Sequence, residues 1–333
     1  MKRKFSKVIG TGGIGTGEIY LLDGMDTLGR EESRGGHLLD NKDFCKLHII
    51  LHYITVLTRD MKPDIQVIPV SAIGDDSRGN YIMGELKNAG MDVKYIKRFS
   101  NTPTLHSVCF QYSDGSGGNI TENLSACSKV DLSLLENAKN DIDSDTIVLA
   151  APEVPLNTRC EFIKMGAARD AFIAASFTTS EIKNLTDSGI FSDIDLLSIN
   201  MDEARMFSGL HNADKTSTIL EGCIAKLQNS NPDIIFTVTD GANGVFAYEN
   251  GTLDFMPAYQ VNSVNTAGAG DAFLAGMITG IINGMSITGD TGDSCLRYAT
   301  ALACMSVTSK DTIHFGISND SLREFISIHE SRI

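Results

Sequence analysis

Short apolar runs recur along the chain, and between them apolar residues fall at helical spacing. Residues 65–73 (IQVIPVSAI) predict a strand. Residues 78–90 predict a helix, with Ile82, Leu86 and Ala89 on one face and Gly90 as its stop. Residues 107–112 alternate as a strand and lead into a turn over 114–118. Residues 146–150, 172–176, 195–199 and 234–239 predict further strands. The run 195–199 is followed by a helix-start sequence, Asn200-Met201-Asp202-Glu203-Ala204. Residues 245–248 and 253–256 predict a hairpin joined at Asn250-Gly251. Long helices follow at about 270–283 and 295–308. Strands alternating with helices predict a mostly parallel sheet covered on both faces. Hairpin candidates around 16–30 and 105–125 break that rhythm and predict a small separate sheet, a lid. No repeat, low-complexity tract or linker divides the chain, so a single main domain over 1–333 is expected.

Composition narrows the classes. The 333 residues suffice for a large core, and 42% are hydrophobic. A net charge of −14 disfavours nucleic acid and anionic membranes as partners. A polyanionic substrate would then need a locally positive or amide-rich pocket. Cys45, Cys109, Cys127, Cys160, Cys223, Cys295 and Cys304 form no C-x-x-C pair, so no zinc site is expected. They are expected as reduced thiols in a cytoplasmic protein. The start MKRKFSKVIG lacks a long apolar stretch and a cleavage signal, and no segment has the length of a membrane span.

The segment KVIGTGGIG contains G-x-G-x-x-G at Gly10, Gly12 and Gly15. A dinucleotide site requires a helix straight after those glycines, to hold the pyrophosphate. Residues 19–22 instead predict a strand ending at Asp23-Gly24. The glycines are therefore expected to end the first core strand and let the chain approach an acceptor substrate.

Val264-Asn265-Thr266-Ala267-Gly268-Ala269-Gly270-Asp271-Ala272-Phe273 carries the strongest chemistry. Small residues lead into an apolar helix whose face is Phe273, Leu274, Met277, Ile278 and Ile281. Unpaired amides and the helix dipole would make its start an anion hole. Asp271 beside a phosphate would serve as base to an attacking hydroxyl. An ordinary first-turn acid with tightly packed glycines explains the same residues.

NTAGAGDAFLAG (265–276) resembles the second signature of the ribokinase-like, or PfkB, carbohydrate kinases. Other segments resemble the family in its order: AIGDDSRGNYIMGELKNAGMDV (72–93), TPTLHSVCFQYSDGSG (102–117), DIDLLSINMDEARMFSG (193–209), IIFTVTDGANGVFAYENG (234–251) and RYATALACMSVT (297–308). The resemblance implies a three-layer α/β/α domain with a mostly parallel central sheet and a small β lid, its strands drawn from about 16–40 and 95–125. It implies an ATP-dependent phosphotransferase acting on a hydroxyl of a sugar or sugar derivative. Asp271 would be the base, and the amides of Ala267, Gly268, Ala269 and Gly270 would hold the transferring group. Asn200 would lie near the phosphates, and Glu203 would act on Mg²⁺ through water. Thr239, Gly241, Gly244, Thr266 and Thr300 would border the nucleotide. Asn200 and Glu203 also read as a helix capping box, and 239–244 as a plain turn.

The sequence departs from the family pattern in two places. Asn265 stands where the family usually has an aspartate that helps bind a monovalent cation, which puts activation by K⁺ in doubt. In SRGGHLLDN, Gly35 and Gly36 match the sugar motif, Asp40 falls at the usual asparagine spacing and Asn41 lies one position beyond. Glu18 would stand for an early acid. Arg30 and Arg34 would suit an anionic acceptor, or belong to a solvated charged loop. His48 and His52, spaced four apart without a third ligand, read as one face of a helix. A nucleoside kinase, a non-catalytic sugar- or nucleotide-binding protein and a dinucleotide oxidoreductase are the alternatives. A homodimer through the lid is expected by analogy.

Overall fold

The computed structural model describes residues 4–24, 27–62, 64–113, 117–185, 188–210, 215–289 and 294–330. The strands are β1 (Lys7–Thr11), β2 (Gly15–Leu22), β3 (Gly36–Leu38), β4 (Asp43–Phe44), β5 (Gln66–Gly74), β6 (Tyr95–Phe99), β7 (Leu105–Gln111), β8 (Gly117–Thr121), β9 (Thr146–Ala150), β10 (Phe172–Ala175), β11 (Leu196–Asn200), β12 (Ile235–Thr239), β13 (Val245–Glu249) and β14 (Thr252–Met256). The helices are α1 (Lys46–Thr58), α2 (Ser77–Ala89), α3 (Leu132–Ala138), α4 (Leu156–Ala167), α5 (Thr179–Leu185), α6 (Met201–Ser208), α7 (Thr216–Ser230), α8 (Ala269–Ile282), α9 (Cys295–Ser306) and α10 (Asn319–Glu330).

Among the described residues the large sheet runs β14-β13-β12-β11-β10-β9-β1-β5-β6. Its pairs are parallel from β12 through to β6, and β13 and β14 close one edge antiparallel. The central strands β1 and β9 are almost wholly buried, as strands covered on both faces must be. Helices α1, α8 and α9 pack together on one face, while α3 and α4 lie against the other, giving three layers α/β/α. Asn250 and Gly251 both take positive φ, which the tight β13–β14 turn requires.

The second sheet is the lid: β3-β2-β7-β8, with β4 pairing to β2. Strand β2 runs parallel to β7, so the expected hairpin over 16–30 is instead one strand pairing forward to β3 and across to β7. The expected lid segment from 95 needs correction. Residues 95–99 form β6, hydrogen-bonded to β5 at the edge of the large sheet, and the lid begins at 105. In the turn expected over 114–118, residues 114–116 lie outside the described residues.

The glycines of KVIGTGGIG are packing residues. A Cβ on Gly10 would stand 2.8 Å from Leu47 Cδ1, and one on Gly12 3.0 Å from Leu47 Cβ. Their bareness lets the first turn of α1 lie against the end of β1. The chain continues into β2 with no helix to receive a pyrophosphate. His48 and His52 are buried in α1, and the described residues contain no cluster of three metal-ligating side chains.

Candidate active site

The start of α8 is shaped by Gly268, whose φ of 81° is strained for any residue with a side chain. A Cβ there would also stand 2.9 Å from Thr312 O. This turn places the first amides of α8 at the end of a cavity of 530 Å³. The amides of Gly268, Gly270 and Asp271 have no partner among the described residues, as the first turn of a helix leaves them. They make an anion hole whose charge the helix dipole reinforces.

Ala267 corrects the expected composition of that hole. Its amide donates to Asn265 Oδ1 at 3.0 Å and is no longer available to a phosphate. The amide of Ala269 turns back to Thr266 O at 3.3 Å, a long bond that leaves it a loosely held donor. Asn265 also donates from Nδ2 to Lys310 O at 3.0 Å. Residues 310–312 in turn hold the segment before α1: Lys42 N donates to Asp311 Oδ1 at 2.8 Å, Phe44 N to Thr312 Oγ1 at 3.0 Å, and Thr312 N to Lys42 O at 3.0 Å.

Asp271 lies in the first turn of α8 with its side chain 13% exposed, and its Oδ2 is 3.7 Å from Lys46 Nζ. Burial raises its pKa, and the ammonium of Lys46 opposes that rise. Lys46 opens α1, whose N-cap Cys45 makes no side-chain cap. Glu153 supplies one from afar: its Oε2 accepts from Lys46 N at 3.1 Å. To do so Glu153, just beyond β9, adopts φ 78°, a conformation non-glycine residues rarely hold. Burial pushes Glu153 up to about 7 against the pull of Lys46. The Lys46 pKa is raised in turn, by Asp271 first, and Glu153 and Glu203 add to it.

Asn200 and Glu203 do form the capping box. Asn200 Oδ1 accepts from Glu203 N at 2.9 Å, and Glu203 Oε2 from Asn200 N at 2.8 Å. Both side chains nevertheless line the cavity, and burial lifts Glu203 to about 7 despite its bond from Asn200 and the nearby Lys46. The cap therefore fixes where the Glu203 carboxylate sits on the cavity wall. A second oxygen on that carboxylate is not used by the cap, which suits it to a hydrated cation.

Thr239, Gly241, Gly244, Thr266 and Thr300 also line the cavity. Thr300 offers only its methyl side, because its hydroxyl donates to Leu296 O at 2.7 Å. Val245, Ala258, Val261, Leu274, Ala303 and Val307 make an apolar wall. The cavity thus combines an amide-lined end, two carboxylates and an apolar slot, the donor set a nucleotide with a hydrated divalent cation fits.

The acceptor-side residues expected from the sequence do not converge on this cavity. Arg34 is tied to Glu32, Nε to Oε1 at 2.6 Å. Asp40 projects into solvent and pairs with Lys310 at 3.1 Å. Gly36 is spent in the β2–β3 ladder, and Gly35 O accepts from Asp23 N at 3.0 Å. Glu18 points to His106 at 3.9 Å, and neither it nor Asn41 lines the cavity. The lid strand β3 holds this segment at the outer edge of the small sheet, which is why spacing along the chain misleads.

Three residues near the site have no counterpart in the sequence reading: Lys46, Glu153 and Asp43. Asp43 is 8% exposed, and burial raises its pKa against bonds from Cys109, Ser107 and the Phe44 amide. It fills the space beside Gly17, where a Cβ would collide with its carboxylate. Lys46 did leave one trace in the sequence, since a cation in the first turn of an apolar helix opposes the dipole. Glu153 left none, because its partner lies 107 residues away.

Comparison with known proteins gives the family and the fold. A family model described as pfkB family carbohydrate kinase matches residues 60–319. The ribokinase of Haemophilus influenzae is 25% identical over 246 residues, 72% of this chain and 75% of that protein. The structure of ribokinase from Giardia lamblia superposes with a TM-score of 0.80 at 16% identity, covering 96% of this chain and 99% of that one. Ribokinase from Cryptococcus neoformans in complex with ADP gives 0.75 at 18% identity, covering 96% and 99%.

Proposed function

The chain belongs to the pfkB family of carbohydrate kinases, an ATP-dependent phosphotransferase, and on that premise we propose that Asp271 is the base and the start of α8 the phosphate hole. One observation carries this reading: a nearly buried carboxylate and three unspent amides meet at the same end of the cavity. Asp271 accepts the proton of the acceptor hydroxyl as it attacks the terminal phosphorus. The amides of Gly268, Gly270 and Asp271 hold the oxygens on which charge develops. Asn200 and Glu203 face the phosphates, and Glu203 would hold a bound Mg²⁺ through its water. A magnesium ion bound there would neutralise phosphate charge. Thr239, Gly241, Gly244 and the apolar wall enclose the nucleoside part, and the solved ribokinase that holds ADP supports a nucleotide as the ligand of this fold.

Buried Asp43 and half-buried Glu153 near the root of the lid favour a neutral, hydroxyl-rich acceptor over a phosphosugar, since Arg34 is already paired with Glu32. Asn265 Nδ2 already donates to a carbonyl of the 310 loop, which supports a kinase that needs no K⁺. No described helix is long and apolar enough to cross a membrane, and all seven cysteines are free; these support a cytoplasmic enzyme. An ADP-release screen over sugars, sugar acids and nucleosides, run beside Asp271→Asn, tests the assignment. The variant is expected to lose about 10²–10⁴-fold in kcat with its fold intact. Transfer at the parent rate by Asp271→Asn refutes the base.

A further inference from the structure

Lys46 is the only cationic side chain among the described residues lining the cavity. The other charged groups there are the carboxylates Glu203 and Asp271, in a chain of net charge −14. A cavity that receives a polyphosphate beside two carboxylates needs a counter-charge, and this lysine is positioned to give one. Its Nζ makes a long ion pair with Asp271 Oδ2, at 3.7 Å. The side chain keeps 41% of its exposure, so the ammonium reaches the cavity while paired at long range with Asp271.

The placement is built at a cost. A lysine at the first position of α1 opposes the helix dipole. Its backbone is fixed by Glu153, which holds a left-handed φ of 78° to cap it. Gly13 lies so close to Glu153 that a Cβ there would collide with it. Strain of this kind persists only where surrounding structure enforces it, and it clusters at sites of function. A lysine that served stability alone would sit at the other end of the helix.

Resting on the phosphotransfer reading above, we propose that Lys46 is a further catalytic residue, whose ammonium touches the terminal phosphoryl oxygens as they pass from nucleotide to acceptor. In that step the acceptor oxygen bonds to the terminal phosphorus, and Asp271 takes the hydroxyl proton. The bond from phosphorus to the bridging oxygen breaks, and that oxygen leaves on ADP with the electron pair. Lys46 neutralises the oxygens of the group in flight and keeps them from being repelled by Asp271. Glu153 is a positioning residue for it.

The experiment is calorimetric and needs no acceptor. ADP and the non-hydrolysable ATP analogue AMP-PNP, each with Mg²⁺, are titrated into the parent, Lys46→Met and Lys46→Arg. Lys46→Met is expected to weaken AMP-PNP by at least about tenfold while ADP stays within about threefold, because only the analogue carries the terminal phosphoryl group. Lys46→Arg is expected to recover most of the loss, since it keeps the charge. Thermal midpoints confirm that each variant is folded, and Lys46→Gln, which also removes the charge, stands in if the methionine one is not. Equal loss for both nucleotides, no loss for either, or an arginine variant as impaired as the methionine one overturns the proposal. A parent that binds neither nucleotide overturns the nucleotide-cavity reading itself, which separates the two failures.

Discussion

His48→Leu is predicted to make the protein more resistant to acid. His48 is fully buried at the Phe44 contact in α1, their ring centroids 4.5 Å apart, and neither ring nitrogen has a partner. Burial lowers its pKa to about 3, so the native state holds it neutral. In the unfolded chain it takes up a proton near its usual value of 6.5. Below that value the unfolded state binds more protons, so stability falls as pH falls, until the native ring itself protonates near 3. At about pH 5 the penalty is roughly 2 kcal/mol, from about 1.4 kcal/mol per unit over about 1.5 units, and it is near zero at about pH 7.5. Glu153 and Glu203, both raised to about 7, act in the opposite sense, because the folded state takes their protons first as pH drops. Subtracting variant from parent cancels them. Leucine is close to histidine in volume and leaves no unpaired nitrogens, so its packing cost is small. Urea unfolding of both proteins at about pH 7.5 and about pH 5 should show the stability difference shifting by roughly 2 kcal/mol in favour of the variant. A difference that moves by less than about 0.5 kcal/mol would mean His48 is protonated or solvated in the native state.

Three further outcomes follow from the geometry. Gly268→Ala must adopt φ near 81° and push against Thr312 O; we expect about 1–2 kcal/mol lost in urea unfolding and at least about tenfold weaker nucleotide binding by calorimetry. Arg159→Met removes the fully buried guanidinium that binds Glu181 and Ser176 O beneath the cavity wall; leaving Glu181 with the Thr178 amide but without its cation should cost about 3 kcal/mol, again read by urea unfolding. Asn265→Asp exchanges an amide donor for a carboxylate opposite Lys310 O; initial rates in Na⁺, K⁺ and tetramethylammonium should become K⁺-dependent in the variant and stay level in the parent.

The layered architecture was legible because strand and helix periods differ and because turn residues mark their ends. Helix α8 starts at Ala269, one residue from the expected position, and Gly90 ends α2 with φ 105° and an amide bonded back to Leu86 and Lys87. The start of α8 with its exposed amides was legible because small residues before an apolar helix mark a tight helix entry. The acceptor side was not. Spacing placed Asp40 and Asn41 at the site, but β3 carries that segment outward, and a ladder between distant strands cannot be read from one of them. Tyr95–Phe99 fell within the lid range that the resemblance implied, yet it pairs with β5, because a resemblance of segments does not carry strand pairing. Lys46 and Glu153 meet through a backbone conformation that no residue type announces. Ala267 was counted among the donors because its amide is in the right stretch, yet the side chain of Asn265 had already claimed it.

The three residues 310–312 act as a shared tie-rod. On one side they grip the strand that roots the lid, through Lys42 and Phe44; on the other, a carbonyl of the same stretch anchors Asn265, which steadies the phosphate turn. Any displacement of the small sheet would therefore pull on the same three residues that hold the phosphate turn in place.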